Sequence, residues 1–181
     1  MLGLGNPGEE YRDTRHNLGQ RVVDALARSL GRLASEPTLH EPFSREGASM
    51  VARGEWRGQP LLLIKPLSYM NVTGSVVAQL AQRLDFGPAD CILVYDDIDL
   101  PLGKVRVRMR GSAGGHRGVR SVLDALQTED VRRVKIGVGR PAARSDIVDH
   151  VLGGFSEEER PLVDRACTEA AERVLDLLAR A

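Results

Sequence analysis

Residues 91–95 read CILVY and run straight into Asp96 and Asp97. Five consecutive apolar side chains show neither the 3.6-residue period of a half-buried helix nor the alternation of a half-exposed strand. They suit a strand buried on both faces, and such a strand needs a helical layer on each side of its sheet. The rest of the chain supplies those layers. Leu18, Val22, Val23, Leu26 and Leu30 recur at helical spacing over residues 17–30, with Gly31 as a stop. Val76, Val77, Leu80 and Leu84 mark a second helix over 72–84. Residues 1–4 read as the end of a strand. Residues 49–52 and 60–65 read as two strands turning through Arg57-Gly58, with Pro66 closing the second. A strand over 104–110, a loop over 111–118, a short helix over 119–126 and a strand over 131–138 follow. Ser156 and Glu159 form a capping box for a last helix reaching to about Leu178, and Pro161 implies that this helix starts later than its box. Strands alternating with helices around one inserted hairpin predict a single α/β domain over 1–181. It is a three-layer sandwich, its twisted sheet mixed but mostly parallel, with helices on both faces. Ligands of such sheets bind beyond the carboxyl ends of the strands. GNPG follows the first strand and Tyr95-Asp96-Asp97 ends a central one, so both fall where a site belongs.

Composition narrows the classes. The 181 residues suit one domain with a sizeable core. No apolar run approaches the roughly 18 residues of a membrane span. Cys91 and Cys167 make no disulfide framework, and with no signal-peptide pattern they point to a reducing cytoplasm. The 25 basic and 25 acidic side chains cancel overall but are not mixed evenly. Residues 101–144 hold eleven basic against three acidic side chains. Within them Lys104, Arg106, Arg108 and Arg110 alternate with Val105, Val107 and Met109, which places four cations on one strand face. Such a row is either a solvated face or a seat for a polyanion; like charges on one strand face favour a covering anion.

The opening stretch MLGLGNPGEEYRDTRHN contains Gly3, Gly5 and Gly8 at GxGxxG spacing. Pro7 removes an N–H that a pyrophosphate cradle would use, and no acidic residue follows a second strand, so a dinucleotide site is disfavoured. His16 is a better lead. A neutral imidazole can take a proton from water, and a carboxylate on its other nitrogen fixes the tautomer. Asp96 is the candidate carboxylate. The chain has no GxSxG nucleophile elbow, so the nucleophile of such a pair would be water. Asp96, Asp97 and Asp99 could instead hold Mg²⁺, although the strand pleat should turn Asp97 away from Asp96. Asn71 either caps the helix that follows it or donates its amide to an oxyanion. The loop Gly111-Ser112-Ala113-Gly114-Gly115-His116-Arg117-Gly118 leads into a helix N-terminus, a phosphate-seeking surface.

In order, GLGNPG, YxxTRHN, KPxxYMNxTG, DDxDLPLG, KxRxRxxGSAGGH and KIGVGRP resemble the bacterial-type peptidyl-tRNA hydrolase family along nearly the whole chain. The resemblance implies hydrolysis of the ester joining a peptide to the 3′ ribose of tRNA, with no metal or other cofactor. It implies His16 as base and Asp96 as its orienting carboxylate. Asn6 and Asn71 would hold peptide and water and steady the tetrahedral intermediate. Tyr11, Met70 and Gly115 would line the cleft, with His116 at its rim. Arg106 and Arg108 match a tRNA-facing basic surface, and Lys135 and Arg144 match a cluster gripping the 5′ phosphate. The implied partner is the acceptor stem and 3′ end of peptidyl-tRNA, met by a monomer in the cytoplasm with no membrane. Three departures stand out. The family's GGHNG reads GGHRG, so Arg117 replaces an asparagine implicated in tRNA binding, and altered binding geometry is expected. The chain also opens and closes short of the family's usual ends, Ala181 preceding the usual tail. A non-hydrolytic RNA-binding protein on the same fold is the alternative; such a protein would not need a base with its orienting carboxylate.

Overall fold

The computed structural model describes residues 1–30 and 39–179, apart from the side chains of Leu30 and Arg144. The stop expected at Gly31 lies outside them. The elements are β1 (Leu2–Gly3), α1 (Leu18–Leu30), β2 (Leu39–Arg45), β3 (Ser49–Trp56), β4 (Gln59–Pro66), α2 (Thr73–Leu84), β5 (Ile92–Asp97), β6 (Val105–Arg108), α3 (Arg117–Leu126), β7 (Arg132–Gly137), α4 (Ile147–Leu152) and α5 (Arg160–Leu178). One sheet runs in the order β2-β3-β4-β1-β5-β7-β6. Its centre, β4-β1-β5-β7, is parallel; β2, β3 and β6 join antiparallel at the two ends.

The all-apolar run does what its composition requires. Ile92 and Val94 face α1 and α5, while Cys91, Leu93 and Tyr95 face α2 and α3, so β5 is covered on both sides. The same pleat decides the fate of the acids after it. Asp96 continues the row of Ile92 and Val94 and is only 2% exposed. Asp97 turns to the opposite face.

Gly3 of the opening stretch serves helix packing, together with Gly19. A Cβ at Gly3 would collide with the carbonyl of Gly19 in α1, and a Cβ at Gly19 would collide with Leu4 and the carbonyl of Val94. Backbone therefore lies on backbone where α1 crosses β1 and β5. That close approach brings the start of α1 to the end of β5.

Several expectations shift at their edges. β2 follows no apolar alternation, contains Pro42 and lies at the exposed end of the sheet, so no strand signal marks it. Six-residue α4 was likewise not anticipated. The basic strand ends at Arg108 rather than Arg110, so only Arg106 and Arg108 occupy a strand face. Met109, expected among the apolar neighbours, is 59% exposed because the strand has ended before it. The Ser156–Glu159 box is present, with each residue's side chain accepting from the other's N–H, and Pro161 fits the first turn of α5.

Candidate active site

A cleft of about 510 Å³ opens at the carboxyl ends of β1, β5 and β7. Asn6, Tyr11, His16, Met70, Asn71, Asp96, Gly115, His116, Arg117 and Lys135 all line it. Arg106 and Arg108 lie outside it on β6, and the side chain of Arg144 is outside the described residues.

His16 sits in the 3-10 turn Arg15–Asn17 that leads into α1. Its Nδ1 lies 2.9 Å and 3.0 Å from the two Asp96 oxygens. Burial by itself would push the Asp96 carboxyl up, but His16 and His116 beside it outweigh this and hold it well below the usual carboxylate range. An ionised carboxylate only accepts, so Nδ1 carries the hydrogen and Nε2 keeps its lone pair. This is the tautomer a general base requires.

Asp96 has a second partner. His116 Nε2 lies 3.1 Å from Asp96 Oδ1, while His116 Nδ1 accepts from the Val119 N–H at the start of α3. Nε2 therefore bears the hydrogen and donates. Tyr95 meets the His116 ring edge-on at 5.0 Å. His116 was expected at the rim; the structure places it against the buried carboxylate, with its ring 4.8 Å from that of His16.

Asn6 follows β1. Its Oδ1 accepts from the Met70 N–H at 3.1 Å, so its NH₂ is the end left for the cleft. Asn17, which the sequence reading did not single out, locks this strand end. Its amide accepts from the Asn6 N–H at 2.8 Å and donates to the Asn6 carbonyl at 2.9 Å. Asn71 lies exposed in the 3-10 turn Met70–Val72, and α2 has no side-chain cap there. Capping does not account for Asn71, and its amide is left for the cleft. Gly114 (φ 56°) and Gly115 (φ 83°) adopt left-handed backbone that only glycine takes readily.

Asp97, the last residue of β5, and Asp99 beyond it each have their own cation. Lys135 Nζ lies 2.7 Å from Asp97 Oδ2, and Arg140 pairs with Asp99. Asp96 and Asp97 lie on opposite faces of the strand, and among the described residues Asp96, Asp97 and Asp99 do not converge as a Mg²⁺ triad. Among the described residues Lys104, Arg106, Arg110, Arg117 and Arg120 make no ion pair, and Arg108 hydrogen-bonds only the Val107 carbonyl. Arg106 lies opposite Lys135 in the β6–β7 ladder, so these two side chains share a face. The cations thus run from the cleft to the sheet edge. All three tyrosines gather at the cleft: Tyr11 and Tyr69 meet edge to face at 6.3 Å, and Tyr95 lines the floor.

A mixed α/β sheet with a parallel centre, carrying a carboxylate-oriented imidazole at its strand ends beside free amides and an open cleft, has the layout of a hydrolase. The family model described as Peptidyl-tRNA hydrolase matches residues 1–181. The chain belongs to that family. It is 44% identical over 172 residues to the peptidyl-tRNA hydrolase of Geobacillus kaustophilus, covering 95% of this chain and 88% of that one. Against the Aquifex aeolicus peptidyl-tRNA hydrolase it is 41% identical over 170 residues, covering 94% and 84%. A crystal structure of a peptidyl-tRNA hydrolase with N-propanol superposes with a TM-score of 0.87 at 31% identity, covering 98% of this chain and 87% of that one. The non-hydrolytic alternative finds no support in these likenesses. No helix among the described residues is long and apolar enough to cross a membrane.

Proposed function

We propose that the protein hydrolyses peptidyl-tRNA with His16 as the base that activates water. One observation carries the reading: Asp96 holds His16 Nδ1–H, leaving Nε2 free at the cleft. Nε2 takes a proton from water, and the water oxygen attacks the ester carbonyl. The Asn6 NH₂, the Asn71 amide and the N–H groups at Gly114 and Gly115 are the donors available to the oxyanion; losing one such donor costs roughly 10²–10³ in rate. The intermediate collapses by breaking the bond to the ribose 3′ oxygen, which takes its proton from the His16 imidazolium. Peptide acid and free tRNA leave. His116 supports the step by sharing Asp96 with His16.

The acceptor stem lies along Arg106 and Arg108 toward Arg117, where unpaired cations await phosphate; Lys135 and Arg144 belong to the 5′ phosphate end. The proposed enzyme acts as a monomer. A tRNA ester as substrate fits a cytoplasmic enzyme.

The test is cleavage of an N-blocked aminoacyl-tRNA by the wild type and by His16→Ala. Wild type should release the blocked amino acid, and the variant should bind tRNA while losing roughly 10²–10⁴ in rate. A wild type that binds without cleaving defeats the enzyme reading. A variant that cleaves normally defeats the assignment of the base.

A further inference from the structure

The residue before the base is bound more tightly than a turn position requires. The Arg15 side chain is 11% exposed. Its Nη2 donates to both oxygens of Glu159, at 3.0 Å and 2.8 Å, and its Nη1 donates to the Gly154 carbonyl. The guanidinium lies over the Phe155 ring, 4.8 Å from the centroid. The backbone repeats the attachment: Arg15 N–H donates to the Gly153 carbonyl at 3.0 Å, and Thr14 bridges to Gly154. Residues 153–159 join α4 to α5, and Ile147, Val148, Val151 and Leu152 of α4 form one wall of the cleft. On the other flank of His16, Asn17 is tied to Asn6.

His16 is therefore held between two anchors that belong to different parts of the cleft. A partly buried ion pair is poor evidence of added stability, because desolvation offsets the attraction. Its geometric effect is firm: with Nη2 held by the Glu159 carboxylate and Nη1 by the Gly154 carbonyl, the planar guanidinium is fixed in direction as well as distance.

We propose that Arg15 is a positioning residue for His16, acting with Glu159 to keep Nδ1 on Asp96, Nε2 in the cleft and the α4 wall at a set distance from both. Substrate is not touched by Arg15; the effect passes through the turn. This rests on His16 being the base.

The test compares Arg15→Lys, which keeps the charge but loses the fork, with Glu159→Gln, which keeps the shape but loses the charge. Glu159 also takes part in the cap of α5, so Ser156→Ala serves as the control that weakens the cap alone. Displacement of a catalytic group by about an ångström can cost 10²-fold, so kcat should fall roughly ten- to hundred-fold in both test variants, with KM within about two-fold. Imidazole ¹⁵N spectra should show His16 leaving the single Nδ1–H tautomer in those variants. Ser156→Ala should lower Tm and leave kcat and the spectrum as in wild type. If Arg15→Lys and Glu159→Gln lower Tm but keep kcat and the His16 signals, Arg15 is structural and the proposal is overturned. Should Arg15→Lys fail to fold, Glu159→Gln decides alone by the same readouts. Failure here leaves His16→Ala inactive, whereas failure of the base assignment leaves it active.

Discussion

Two clusters of charge flank one cleft, and they are built on opposite rules. In the first, Asp96, His16 and His116 satisfy one another, and Asn6 and Asn17 do the same beside them. In the second, Lys104, Arg106, Arg108, Arg110, Arg117 and Arg120 make no ion pair among the described residues. The first is buried and complete. It needs nothing from outside to hold its geometry, which is what a reacting group requires before substrate arrives. The second is exposed and open, and its repulsion is relieved only when an anion covers it. Lys135 and Arg140 sharpen the contrast, because they lie in the cleft yet are already paired with Asp97 and Asp99. On the proposed function, one region is pre-organised for chemistry and the other is left open for binding.

Replacing the centre of the first cluster is the most direct way to break this division. Asp96→Asn puts an NH₂ donor where one of the two carboxylate oxygens faces His16 Nδ1–H, so donor meets donor and the His16 ring must turn or change tautomer. By analogy with other histidine–carboxylate sites kcat should fall by roughly 10⁴. Binding of deacylated tRNA, measured by fluorescence titration, should stay within two-fold. Loss of binding in step with rate would merge the two regions into one. The same carboxylate sets an acid limb. Its folded pKa lies below the ordinary 3.8, so its stabilising contribution is fully present above about pH 4. That contribution is lost as pH falls below 4 through the folded value. Wild type should lose Tm over that range, and Asp96→Asn should lack this component of the loss; identical slopes would remove Asp96 as its source.

How far each region could be read from sequence follows from the range of its interactions. CILVY fixed a covered strand because burial on both faces leaves a local signature, and the pleat then put Asp96 inside and Asp97 across from it. Arg106 and Arg108 were visible for the same reason. The resemblance brought His16, Asp96, Asn6 and Asn71 together, and the structure places all four in one cleft. Less accessible were contacts between distant residues. Glu159 could be recognised as a capping partner three residues from Ser156, whereas its other partner, Arg15, is 144 residues away. His116 could be placed on a loop, but its grip on Asp96 depends on how α3 starts. Two short or irregular elements, β2 and α4, lacked enough period to register.

The second region should fail differently. Arg106→Ala with Arg108→Ala removes cations that touch no part of the first cluster. Binding should weaken on the order of ten-fold at moderate salt, and the slope of log K against log salt should shrink by roughly one and a half to two. KM should rise far more than kcat falls. An unchanged salt slope would return both arginines to ordinary solvated positions. A matching collapse of kcat would show that the edge of the sheet also shapes the reacting groups.

Arg117 gives the smallest effect and the finest discrimination, because it stands where the regions meet. It follows His116, which belongs to the first cluster, yet it is exposed and, among the described residues, unpaired like the second. The family's usual asparagine at this position offers an amide, which can donate to a carbonyl as well as to phosphate; a guanidinium carries a full charge into the cleft mouth. Arg117→Asn should therefore reduce the salt slope by about one, the share of a single phosphate contact. The affinity change should be a few-fold at most. Tm should not move, since no partner among the described residues is lost. If Arg117 instead reaches the reacting ester, the salt slope stays put and kcat changes at saturating substrate. The two readouts separate on one variant, so the boundary between the pre-organised cluster and the open one can be drawn at a single residue.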